Sequence, residues 1–234
     1  MKTIGLIGGM SWESTVLYYQ SLNRIVRREL GGHHSAKIIL YSVDFAEIEA
    51  CMRDVNWQPI ADAMIDAGQR LENAGAEVIL ICTNTVHQVA PDVEDALSIP
   101  LLHIADAAAE QIVESGLKRV ALLGTAFTME LPFYRDRLAD LFKLQVIVPE
   151  QEDRAFLNSA IFNELVHGVV KEESRARMKS IIASLVDQGA EGVILGCTEL
   201  PMIIHPEDSP VPLFDTTQIH AEAAADFALK GHLR

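Results

Sequence analysis

The chain has 234 residues, 49% of them hydrophobic and 22% charged, which is ample material for one or two packed domains and too apolar for a disordered chain. With 33 acidic residues against 19 lysines and arginines, the net charge is −14, and no basic run offers a face to nucleic acid or to an anionic membrane surface. Three widely spaced cysteines, Cys51, Cys82 and Cys197, form neither a disulfide framework nor a CxxC metal spacing, so free thiols and no metal site are expected.

No apolar run reaches the ~18 residues of a membrane span. The first residues run into a strand-like stretch without a signal-peptide cleavage pattern, so a reducing, cytoplasmic setting is expected.

In chain order, residues 3–7 read as a buried strand ending in Gly8 and Gly9. A helix follows, with Ser11 as N-cap and Trp12, Val16, Tyr19, Leu22 and Val26 on one apolar face. Residues 38–43 read as a second strand. Pro59 opens a helix whose inner side carries Ile60, Ala63, Met64, Ala67, Leu71 and Ala74, and Gly75 stops it. Residues 78–81 are a third strand. Such alternation implies an α/β fold with a parallel sheet covered on both faces.

The second half then repeats the first. KTIGLIG at 2–8 lies over KRVALLG at 118–124, an offset of 116 residues. GAEVIL at 75–80 lies over GAEGVI at 189–194, an offset of 114, and IPLL at 99–102 lies over VPLF at 211–214, an offset of 112. Two similar lobes related by a pseudo-twofold are expected, 1–103 and 104–215, with the final helix in 216–234 returning to the first lobe. Ligands are expected at the C-terminal ends of the strands, where the lobes meet.

The repeat register makes a sharp statement about two strand ends. Counted from each Gly-Ala-Glu, Thr83 occupies the place that Cys197 holds in the second half, and the two are expected to face each other. Matching Cys82 to Cys197 instead requires a one-residue slip, which turns a strand side chain to the opposite face. Cys82, like Cys51, therefore reads as core packing.

Thr83-Asn84-Thr85 followed by His87 resembles the Cys-Asn-Thr-x-His motif of the aspartate/glutamate racemase family, and Gly196-Cys197-Thr198-Glu199 resembles its Gly-Cys-Thr-Glu motif. The opening Gly5-Leu6-Ile7-Gly8-Gly9-Met10 is similar as well, so the resemblance spans essentially the whole chain. It implies a racemase that needs neither pyridoxal phosphate nor metal, with one thiol from each lobe on opposite faces of a bound amino acid. Here the first thiol is replaced by Thr83. The nearest resemblance is to the L-aspartate/L-glutamate-specific variant of the family, which carries this Thr/Cys pair.

The substitution has a chemical consequence. A thiol titrates near pH ~8.5 and is useful at neutral pH if its site lowers that value modestly. A threonine hydroxyl is too weak an acid to serve as a base, so Cys197 is expected to abstract the α-proton and Thr83 to return one. Carbanion formation needs donors on the substrate carboxylate. Asn84, Thr85 and Thr198 are the candidates, with Met10, Ser11 and Thr125 at the ends of the first strands and Thr128 nearby. Arg53, in the loop after the second strand, and Lys171 are candidate cations for an acidic side chain. His87 either orients the site or caps a helix; the other histidines, His33 and His34 among them, read as surface residues. Gly5-x-x-Gly8-Gly9 is not a nucleotide-binding fingerprint and reads as a tight strand-to-helix turn.

The expected partners are a small amino-acid substrate and a second copy of the chain in a homodimer. Two other functions fit part of the pattern. A malonate-type decarboxylase of the same fold keeps only the second-lobe cysteine but generally lacks the Asn84-Thr85 pair. A non-catalytic amino-acid-binding protein would bind without exchanging the α-hydrogen.

Overall fold

Every residue of Ile4–Gly8 is buried, and this run forms β1, the central strand of a three-stranded parallel sheet. In the computed structural model, which describes residues 1–231, the chain continues through α1 (Trp12–Leu30), β2 (Ile38–Ser42), α2 (Phe45–Arg53), α3 (Gln58–Asn73) and β3 (Val78–Ile81). A 3₁₀ turn at Thr85–Val89 leads into α4 (Ala90–Ala96) and then α5 (Ile104–Glu114). The second series is β4 (Arg119–Gly124), α6 (Ala126–Glu130), α7 (Pro132–Phe142), β5 (Gln145–Ile147), α8 (Gln151–Asn163), α9 (Glu172–Asp187), β6 (Gly192–Gly196), β7 (Leu213–Asp215) and α10 (Thr216–Lys230). It builds a four-stranded parallel sheet in the order β5-β4-β6-β7, and the first sheet has the order β2-β1-β3. The chain is thus an α/β protein whose two parallel sheets are flanked by helices. Two compact units result, Met1–Ile104 with the segment from Thr217 onward, and Ala105–Thr216.

The repeat seen in the sequence recurs in the hydrogen bonds inside each unit. Ile79 N–H donates to Pro100 at 2.9 Å, and Val193 N–H to Pro212 at 2.9 Å. Ile79 bridges Leu101 as Val193 pairs with Leu213, so the first unit keeps a one-residue trace of a fourth strand. Glu77 N–H donates to Thr3 and Glu191 N–H to Arg119, both at 2.8 Å, and their carboxylates accept from the same strand starts in return. Even the helix caps correspond: Ser11 Oγ accepts from Ser14 N–H, and Thr125 Oγ1 from Thr128 N–H, each at 3.3 Å.

In the first unit, Ile4, Leu6, Val78, Leu80 and Cys82 form one sheet face, packed against Tyr18, Leu22 and Ile25 of α1 and Ala221, Ala224, Ala225 and Phe227 of α10. The opposite face receives α3: a side chain at Gly5 would strike Ile79, Ala76 and Leu71. In the second, Ala121, Leu123, Val193, Leu195 and Cys197 pack against α8 and α9, while Val120, Leu122 and Ile194 on the other face are also fully buried.

Three expectations need correction. The apolar face expected for α1 is mostly solvent-facing at its start, with Trp12 65% and Tyr19 54% exposed and Val16 exposed too. The buried stripe is Ser14, Thr15, Tyr18, Leu22, Ile25 and Val26, because the helix start sits against the Gly8-Gly9 turn, where only small hydroxyl side chains fit. Ala63 and Ala74 likewise lie off the buried stripe of α3, where Ala61 and Gly68 stand instead. The histidines also divide: His33 and His34 are exposed, but His103 and His220 are buried. His220 on α10 accepts from Tyr18 Oη at Nδ1 and donates Nε2–H to the Leu102 carbonyl, both at 2.8 Å.

Burial lowers the His220 pKa from 6.5 to about 4, against a smaller opposite effect of the Leu102 carbonyl. A folded-state value below the unfolded one contributes stability above pH 6.5 that is lost as pH falls toward about 4, on the order of 3 kcal/mol in full. Urea unfolding across that range should show a steeper acid loss for the native protein than for His220→Gln. Parallel curves would contradict this assignment.

Candidate active site

Parallel pairing brings the C-terminal ends of β1 and β3 side by side, with Ile7 opposite Ile81 and Cys82 N–H donating to Ile7 at 2.9 Å. The residues beyond them, Met10 and Ser11 on one segment and Thr83, Asn84 and Thr85 on the other, therefore leave the same sheet edge. Gly9 makes the first turn possible: its φ is +94°, and a side chain there would meet the Val43 carbonyl at 2.4 Å. Gly9 N–H donates to Thr15 Oγ1 at 2.8 Å, and that hydroxyl donates to Ser11 O at 3.0 Å.

The alternation of β3 separates its last residues. Val78, Leu80 and Cys82 enter the apolar cluster, and burial pushes the Cys82 thiol pKa far up. Thr83 follows in a bend beyond the strand, its N–H turned back onto the Ile81 carbonyl at 2.9 Å, and is half-buried; Asn84 and Thr85 are buried as the chain enters the 3₁₀ turn. Within that turn, His87 Nδ1 lies 2.7 Å from the Thr83 carbonyl, and its Nε2 receives the Ile104 N–H at 3.3 Å.

The second unit repeats the arrangement with different chemistry. Gly124 pairs with Gly196, and both must be glycine: a side chain on Gly124 would meet the Gly196 carbonyl at 2.8 Å, and one on Gly196 the Leu123 carbonyl at 2.9 Å. Thr125 and Cys197 follow directly. Since Val193 takes the hydrogen bond that Ile79 takes in the first unit, Cys197 stands four residues past the equivalent point, as Thr83 does. Thr125 and Thr128 are linked Oγ1 to Oγ1 at 3.2 Å.

Glu199 carries a role that the motif alone did not disclose. Its Oε2 accepts from Cys197 Sγ–H at 3.0 Å and from Thr198 Oγ1–H at 2.8 Å, and all three residues are buried. The turn that sets this contact is closed by the Leu200 N–H on the Cys197 carbonyl at 3.1 Å, just ahead of the 3₁₀ turn at Leu200–Met202, and nothing in the motif marks it.

This geometry reverses the expected thiol chemistry. Burial raises the Cys197 pKa well above the usual thiol value, and the Glu199 carboxylate raises it further by its charge and by accepting the S–H; the backbone N–H groups of Glu199 and Thr198 oppose this only in part. The resting group is a thiol with a proton acceptor attached, not a preformed thiolate.

The candidate cations are differently placed. Arg53 lies in the last turn of α2, not in a loop, with its side chain 70% exposed and paired to Glu49. Lys171 precedes α9 and pairs with Glu164 at 3.2 Å. Cys51 is half-buried in α2. Among the described residues, no group of three or more His, Cys, Asp or Glu is placed to hold a metal ion, and no helix is long and apolar enough to cross a membrane.

With this arrangement in view, the kinship of the chain is informative. The Asp/Glu/hydantoin racemase family model matches residues 7–224. A Yersinia pestis protein classed with the Asp/Glu racemases shares 52% identity, with a TM-score of 0.93 over 98% of this chain and 100% of that one. An aspartate racemase homologue from Pyrococcus horikoshii OT3 shares 38% identity, with a TM-score of 0.85 over the same shares. The broad-specificity amino-acid racemase RacX of Bacillus subtilis (strain 168) is 23% identical over 94% of this chain and 95% of its own. The chain belongs to the Asp/Glu/hydantoin racemase family.

Removing the charge of Glu199 should free the thiol. In a Cys51→Ala background, Glu199→Gln should shift the pH profile of Cys197 alkylation to lower pH than with Glu199 intact. An unmoved profile would show that the carboxylate does not control the thiol.

Proposed function

We propose that the chain is a racemase of L-aspartate and L-glutamate in which Cys197 removes the α-proton and Thr83 supplies one to the opposite face of the carbanion, without pyridoxal phosphate or metal. The observation that carries this reading is the Cys197–Glu199 hydrogen bond of 3.0 Å at the end of β6. Glu199 takes the S–H proton as a substrate docks, and the substrate's own α-ammonium supplies the positive charge that favours a thiolate there. The thiolate then takes the α-proton. Thr83 gives its hydroxyl proton to the other face and is reprotonated from water, which takes up in exchange the proton left on Glu199, so every group returns to its starting state. The substrate carboxylate is assigned to Asn84, Thr85 and Thr198, with Met10, Ser11, Thr125 and Thr128 around them. Arg53 is assigned to the substrate's acidic side chain, for which it must exchange Glu49 for the ligand. A homodimer belongs to the same reading, and sedimentation decides it.

Incubation with L- and D-amino acids in deuterated water tests the proposal by reading α-deuterium and enantiomer ratio together. L-aspartate or L-glutamate should gain deuterium faster than the D-forms, while racemisation approaches the same equal mixture from either side. Cys197→Ala should lower both signals by about a thousandfold, as loss of an acid–base group does. Glu199→Gln should lower turnover despite its more acidic thiol. Cys82→Ala should keep most activity at a stability cost of roughly 1 kcal/mol. Bound amino acid with no exchange at all would leave a binding protein, and carbon dioxide from a substituted malonate would leave a decarboxylase.

A second prediction follows from the position of Thr83. Thr83→Cys places a thiol at the equivalent of Cys197 and should raise α-exchange from the D-enantiomer, measured with Cys197→Ala in the same chain. If Cys82→Ala abolishes activity and Thr83→Ala does not, the pairing is one residue off.

A further inference from the structure

We infer that His87 is a positioning residue that holds the Thr83 peptide, and through it the Thr83 hydroxyl, in the orientation for proton delivery. The inference rests on the racemase reading above and assigns a role to a buried histidine which that reading leaves unused.

The hydrogen bonds of the ring fix its protonation state. A carbonyl oxygen only accepts, so Nδ1, 2.7 Å from Thr83 O, must carry the proton. Nε2 receives the Ile104 N–H at 3.3 Å and must therefore present a lone pair. Both constraints are met by one state, the neutral ring protonated at Nδ1. The ring is walled by two others, with the His103 centroid at 4.6 Å and that of His220 at 5.9 Å, and His220 is itself fixed between Tyr18 and Leu102. His87 therefore ties the end of β3 to the start of α5.

Thr83 is then held at both ends of its backbone: its N–H donates to Ile81 O at 2.9 Å, and its C=O is taken by His87. The second unit does this differently. There the Cys197 carbonyl accepts from the Leu200 N–H at 3.1 Å, and Pro201 stands at the place equivalent to His87. The thiol has Glu199 to fix it, whereas the Thr83 hydroxyl depends on its backbone for direction. A proton donor displaced by a fraction of an ångström delivers poorly, and the carbanion is then reprotonated on the face it came from.

Paired substitutions separate the two hydrogen bonds. In His87→Asn the amide nitrogen stands near Nδ1 and keeps the donor to Thr83; in His87→Gln the amide oxygen reaches the Nε2 position and keeps only the acceptor for Ile104. The readout is the ratio of D-product to α-deuterated L-substrate, starting from L-aspartate in deuterated water. The ratio should fall by roughly tenfold or more in His87→Gln and stay close to native in His87→Asn. A purely structural role would lower exchange and inversion together and leave the ratio unchanged in both, which overturns the inference while native activity upholds the racemase reading. A native protein with neither exchange nor inversion removes that reading, and the inference with it. Should the variants not fold, ¹⁵N-histidine spectra of the native protein at neutral pH decide: Nδ1 protonated and Nε2 bare is expected, and an Nε2-protonated or doubly protonated His87 overturns the assignment.

Discussion

A thiol buried in an apolar cluster donates its proton in a hydrogen bond to a carboxylate 3.0 Å away, a state that the proposed reaction requires it to leave. Burial and the Glu199 charge both oppose the thiolate, so Cys197 is inert until something alters the electrostatics around it. In the proposed reaction an incoming amino acid brings an ammonium group and displaces water, and the carboxylate already in contact with Sγ accepts the proton. On this account the resting protein is protected from adventitious oxidation and alkylation, because the thiolate base exists only with substrate bound.

The backbone makes this pair possible at low cost. Gly124 and Gly196 let β4 and β6 end in contact, closer than any side chain would permit, so Thr125 and Cys197 emerge together. The first unit uses the same hydrogen-bond frame with different residues: Cys82 in place of Gly196 faces apolar packing, and Thr83 in place of Cys197 leaves at the edge. One hydrogen-bond frame thus presents a thiol with its own acceptor in one unit and a hydroxyl in the other, to which the proposal gives two different chemistries.

Much of this frame was legible in the sequence, because a parallel sheet covered on both faces leaves continuous apolar runs, and β1, β3 and β6 stand out as such. The repeat register was legible for a related reason: Gly-Ala-Glu at 75–77 and 189–191 makes the same turn, with Gly75 and Gly189 at φ values of +97° and +95°. What escaped was decided by partners far along the chain. Tyr18 and His220 are separated by 202 residues, so nothing local marked His220 as interior. The start of α1 misled for a different reason. Hydroxyls at Ser14 and Thr15 are buried because the Gly8-Gly9 turn satisfies and crowds them, and a hydrophobic period cannot register that. The thiol's high pKa was likewise hidden, since the motif names Glu199 without saying where its carboxylate points.

The central claim divides one reaction between two residues, and Thr83→Ala isolates the half assigned to Cys197. The measurement is α-deuterium incorporation into L-aspartate by this variant in deuterated water, with the enantiomers resolved. The account predicts that the L-enantiomer gains deuterium while D-aspartate fails to accumulate, because the carbanion forms and is reprotonated only from the face of Cys197. Loss of exchange along with inversion, or D-aspartate produced at the native rate, would contradict it.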